Sequence, residues 1–160
     1  MKITFKDCLA RKRIFIFEAA KHLTDLEIKD AEDDLQSAKQ EFANSGFKWA
    51  TIKGYYAMFH TARALLYSKG YRERGHYCLY LATKELFVKD GALENNLAEA
   101  FQQSMILRED ADYKRNFSKK NASAVIKNAK KLLKAAKAIL KINNKKKQTL
   151  KKKKISPSNQ

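Results

Sequence analysis

The stretch FKWATIKGYYAMFHTARALLYSKGYRERGH, residues 47–76, decides how the rest of the chain is read. Ile52, Tyr55 or Tyr56, Phe59, Ala62 and Leu66 recur at steps of three and four, the spacing that places residues on one face of an α-helix. Trp49, Met58, Leu65 and Tyr67 fill the flanking angles, so the apolar stripe is wide enough to meet several neighbours at once. The pattern predicts a helix over 49–68, a rod of roughly 30 Å at ~1.5 Å per residue, which Gly70 stops. Such a rod is the centre of a bundle. His60 and Arg63 interrupt it too closely for a membrane span.

Working outward, residues 6–22 carry Leu9, Arg13, Phe17 and Ala20 at helical steps and predict an opening helix. Residues 24–46 follow as an amphipathic helix, with Leu26, Ala31, Leu35, Ala38 and Phe42 on one side. Asp30, Asp33, Asp34 and Glu41 form its acidic outer face, which is either solvated or a dock for a basic partner or for the chain's own tail. Beyond the central stretch, YRERG (71–75) reads as a short basic turn, and helices are expected over 76–88 and 93–113. Ser118 is a suitable N-cap for a last helix over 119–141. Its inner stripe is Val125, Ala129, Leu132, Leu133, Ala136, Ile139 and Leu140, and its outer face is Lys127, Lys130, Lys131, Lys134, Lys137 and Lys141.

From Asn143 the periodicity dies. One Leu and one Ile among lysines cannot bury enough apolar area to offset the entropy of ordering, which predicts a disordered tail. With one proline, five glycines and no run that alternates apolar and polar residues, the fold class is all-α. The expectation is a single bundle of about five helices over 1–141 and a disordered Lys-rich tail over 142–160.

The net charge of +17 is unevenly placed. Residues 1–113 hold 17 Lys plus Arg and 17 Asp plus Glu, whereas residues 114–160 hold 17 basic residues and no acidic one. The whole excess therefore sits on the last helix and tail, as a surface able to meet a polyanion. Cys8 and Cys78 show neither CxxC spacing nor a Cys/His cluster, which gives no support to a metal site and leads to the expectation of two reduced thiols in a cytoplasmic protein. The four-residue apolar run near the start is bracketed by charges and is neither a signal peptide nor a span.

Lys48-Trp49-Ala50, the block Tyr55-Tyr56-Ala57-Met58-Phe59-His60, the run from Ala62 to Arg72, and later Leu107-Arg108-Glu109-Asp110-Ala111-Asp112-Tyr113 together resemble the HEPN domain family, in particular small prokaryotic members paired with a minimal nucleotidyltransferase. Asp7-Cys8-Leu9 fits the same pattern, and the likeness covers about 4–140. The resemblance implies an up-and-down helical bundle, a homodimer, no cofactor, and RNA cleavage within a toxin-antitoxin pair. In such members an arginine is followed four to six residues later by a histidine. Arg108 matches the arginine and Glu109 or Asp110 the polar residue after it, but His22, His60 and His76 all lie upstream. Tyr113 stands near where the histidine would fall.

Metal-independent RNA cleavage needs a base for the 2′-hydroxyl, an acid for the leaving oxygen and a cation on the phosphate. Histidine suits the first two because its pKa lies near 6.5, and tyrosine near 10 does not. Arg108 can clamp a phosphate bidentately or pair with Asp112 one turn on. Tyr113 either packs at the helix end, lines the Arg108 pocket, or is the acceptor modified by a partner nucleotidyltransferase. The reading thus places Arg108, Tyr113, Glu109 and Asp110 at the reactive centre. Arg72, Arg74, His76, Lys127, Lys130 and Lys134 are expected to contact RNA or nucleotide. A non-catalytic module that binds nucleotide or the nucleotidyltransferase is the alternative.

Overall fold

The computed structural model describes the backbone of residues 1–155 and the side chains of all of these except 142–144. Six α-helices lie among them: α1 (Phe5–Ala10), α2 (Thr24–Ala43), α3 (Phe47–Ser68), α4 (His76–Thr83), α5 (Asn95–Tyr113) and α6 (Lys119–Ile155). Two short strands, β1 (Ile14–Ile16) and β2 (Tyr71–Glu73), pair antiparallel with Ile14 opposite Glu73 and Ile16 opposite Tyr71. The result is the all-α bundle expected.

Its centre is α3, which packs against α2, α4, α5 and α6. The wide apolar stripe is the cause: Tyr55, Met58, Ala62, Leu65, Leu66 and Tyr67 are each no more than 1% exposed. Phe101 from α5 and Leu132 from α6 complete the core at 0%. Gly54 lets α6 come close, since a Cβ there would lie 2.8 Å from Cγ1 of Val125. Gly70 adopts φ +78°, the left-handed conformation that ends a helix cheaply only in glycine. Its carbonyl then accepts the Phe17 amide at 2.7 Å.

Four expectations need correction. The opening helix stops at Ala10, Lys12 turns at φ +52°, and Ile14-Phe15-Ile16 becomes a strand because β2, some sixty residues on, supplies its partner. YRERG, expected as a turn, is that partner for three of its residues. A 3-10 segment, Glu18–Leu23, then leads into α2. The two cysteines are not free thiols: Cys8 and Cys78 form a disulfide that joins α1 to α4. Their Cα atoms lie 5.9 Å apart, within disulfide reach, a proximity that a 70-residue separation hides from sequence reading.

The last helix, expected to end at 141, continues to Ile155. Leu150 and Ile155 are 60% and 78% exposed, so little apolar area is buried there. Burial is not required: Lys, Gln and Leu are good helix formers, and a helix already nucleated by the bundle propagates through them until a breaker. The rest of the expected disordered tail, 156–160, lies outside the described residues.

Candidate functional site

Arg108 shares the α5 stripe with Phe101, Ser104 and Ala111, three buried residues that turn this side of the helix toward the core. Its head must therefore find partners. Nη2 donates to the Tyr56 hydroxyl at 3.1 Å and lies 3.2 Å from Oδ2 of Asp112, one turn along α5. The guanidinium also sits 5.5 Å from the ring centres of both Tyr56 and Tyr113, within cation–π range of each. Nε is buried and has no hydrogen-bond partner, and the side chain as a whole is 17% exposed. Tyr113 is 73% exposed and forms the solvent side of the cluster.

The neighbours differ in their roles. Asp110 pairs with Lys114 at 3.0 Å, and its carbonyl caps the helix end by accepting from the Lys114 and Asn116 amides. Glu109 points to solvent. Arg72 and Arg74 lie over the rings of Phe17 and Phe15, at 5.8 and 4.7 Å. His76, four residues from Arg72, turns inward instead: its ring stacks on Phe59 with centroids 4.6 Å apart, and Nδ1 meets the hydroxyl of Tyr55. Lys127 and Lys130 line a depression of about 250 Å³ with Lys39, Phe42, Ser123 and Ile126, and none of these belongs to the Arg108 cluster. Lys134 is exposed on the same helix. Lys137 pairs with Glu32, so part of the lysine face does dock on acidic α2.

A second ionic network lies between α2 and α3. Nδ1 of His60 is 2.6 Å from Glu27, Nε2 is 3.5 Å from Asp34, and Arg63 bonds Glu73 through Nε at 2.7 Å. Glu27, Asp30 and His60 bring ligand atoms within 4.8 Å of one another. Arg63 lies 3.7 Å from the other Glu27 oxygen, so both oxygens of the buried carboxylate face a nitrogen partner. Both ring nitrogens of His60 thus face carboxylates of α2.

Sequence reading overlooked Tyr55 and Tyr56 as members of the site. Both stood in plain view as part of the apolar stripe; the signal was two adjacent phenols on a helix, since a buried tyrosine hydroxyl needs a polar partner.

Residues 25–144 match the family model described as the HEPN domain. The chain is 35% identical over 86 residues to a Methanocaldococcus jannaschii protein named "Putative toxin MJ0605", covering 54% of this chain and 64% of that relative. It is 34% identical over 93 residues to a UPF0332 protein of Archaeoglobus fulgidus, covering 56% of this chain and 70% of that one. A second M. jannaschii protein, "Putative toxin MJ0142", is 26% identical over 97 residues, 61% of this chain and 66% of its own length.

Proposed function

We propose that this chain, which belongs to the HEPN domain family, is the toxin-like member of a two-protein system and acts on RNA at the Arg108 cluster. Two relatives carry the word toxin in their names, which supports the toxin-like part of the reading. The observation that carries the rest is Arg108 itself, a guanidinium that lies 5.5 Å over the rings of both Tyr56 and Tyr113 on a side chain still 17% exposed. A phosphate oxygen is the acceptor that suits a guanidinium in such a place. The reaction would be metal-independent cleavage by a homodimer, and the partner a minimal nucleotidyltransferase with the exposed Tyr113 hydroxyl as acceptor.

The chain purified with its disulfide intact is incubated with total RNA, with and without EDTA, beside Arg108→Ala. Cleavage that survives EDTA and is lost in the variant supports the enzyme. Absence of cleavage in both would favour the second reading, a non-catalytic module that binds nucleotide or the nucleotidyltransferase. The Arg108–Asp112 pair at 3.2 Å speaks for that reading, because it already meets part of the charge.

A further inference from the structure

No histidine follows Arg108 in the chain, yet an imidazole is carried to the same aromatic platform by a different helix. His76 is the first residue of α4, and one face of its ring lies on Phe59 at 4.6 Å, tilted by 29°. Phe59 is in turn backed by the guanidinium of Arg63, 4.4 Å from its centre. Tyr55 stacks beside the imidazole at 5.9 Å and meets Nδ1 with its hydroxyl. The ring is thus fixed in the plane it occupies.

The hydrogen bond also assigns the ring proton. Tyr55 is fully buried, so its O–H needs an acceptor, and Nδ1 of His76 is the one it meets, while burial pushes the phenol pKa up and keeps the proton on oxygen. Nδ1 is then the acceptor, and the proton of the neutral imidazole sits on Nε2. Burial and the nearby charges of Arg108 and Arg63 lower the His76 pKa against the opposing charge of Glu109, which keeps the ring neutral at pH 7. Next along α3, Tyr56 meets Tyr55 edge to face, with ring centroids 5.2 Å apart, and accepts from Arg108.

We propose that His76 and Arg108 form a two-donor clamp for one phosphate group, the guanidinium binding one oxygen and the Nε2–H of His76 another. The clamp rests on the reading that Arg108 holds phosphate, and it deepens it by supplying from α4 a donor that α5 does not carry. A neutral N–H suits this task, since it binds an anionic oxygen with no proton to be taken up or lost. Tyr55 is the positioning residue: without its proton on Nδ1, the ring is free to present a lone pair to the anion.

The test uses the full chain and two probes, a single-stranded 2′-O-methyl oligoribonucleotide that cannot be cleaved and ATP. Long-range ¹H–¹⁵N spectra follow the His76 ring, and titrations give Kd for wild type, His76→Ala, His76→Gln, Tyr55→Phe and Arg108→Ala, each checked for an unchanged melting temperature. Binding of the phosphate-bearing probe should move the Nε2 resonance, and Arg108→Ala and His76→Ala should each weaken it by roughly tenfold or more, the scale of a hydrogen bond to a charged group. His76→Gln, whose amide reaches the Nε2 position, should recover part of that loss, and Tyr55→Phe should populate the other tautomer in the free protein. A response to the oligoribonucleotide alone assigns the phosphate to RNA, and a response to ATP alone to a nucleotide. If Arg108→Ala weakens binding while Nε2 stays unmoved and both His76 variants bind as wild type, the clamp is overturned and the phosphate reading stands. If Arg108→Ala binds as wild type, or wild type binds neither probe, the phosphate reading falls and the clamp with it.

Discussion

Tyr55 and Tyr56 are neighbours on α3, yet their hydroxyls serve different helices: Tyr55 meets Nδ1 of His76 on α4, and Tyr56 accepts from Arg108 on α5 at 3.1 Å. Successive residues of a helix point about 100° apart, so one turn of α3 can hold an imidazole and a guanidinium side by side. Tyr56→Phe keeps the ring beneath Arg108 and removes only the oxygen. Its expected cost is about 1 kcal/mol, as for loss of one partly buried hydrogen bond, together with weaker RNA binding. Thermal unfolding and titration of the variant check both.

The network at Glu27 makes stability depend on pH. Burial works against a charge on His60, but the hydrogen bond and charge of Glu27, with the charge of Asp34, outweigh it and the repulsion of Arg63, so its pKa is raised. A raised folded-state pKa gives stability that is fully present below about 6.5 and is lost as pH rises through the folded value. The wild-type melting temperature should fall across that window, and His60→Gln should flatten the fall. Equal slopes in both proteins would refute the assignment. His76, with its pKa lowered, contributes with the opposite sign and weakens the fold as pH drops below about 6.5.

The Cys8–Cys78 disulfide closes a long loop and lies in the core, with the two residues 1% and 9% exposed. Cross-links of this kind contribute about 2–4 kcal/mol, largely by restricting the unfolded chain. Cys8→Ser, or complete reduction, should lower the melting temperature accordingly, and a reductant should leave the Cys8→Ser melt unchanged.

Gly54→Ala tests how closely α3 and α6 approach. Helix propensity alone predicts a gain of about 1 kcal/mol. The new methyl would meet Cγ1 of Val125 at 2.8 Å, so the expected outcome is a loss of about 1–3 kcal/mol. The double variant with Val125→Ala should recover part of it, measured by chemical denaturation.

What was legible in the sequence is what local periodicity encodes. The stripe through Ile52, Phe59, Ala62 and Leu66 sufficed to place α3 at the centre, and the Arg108-to-Asp112 spacing announced their pair. What was hidden depended on distant partners. Ile14-Phe15-Ile16 has too few residues to show a period and became a strand only through β2, and two cysteines 70 residues apart gave no sign of meeting. The position of His76 was hidden in the same way, since its neighbours come from α3 and not from its own helix.

The 37 residues of α6 make a rod of about 55 Å, against roughly 33 Å for the 22 residues of α3, so the final turns outrun the bundle. Lys151, Lys152, Lys153 and Lys154 are consecutive, and four successive residues point in almost every direction around the axis. The projecting end is therefore a sleeve of charge without a preferred side. An end of this kind favours no azimuth, so a defined orientation of any charged partner would have to come from the bundle.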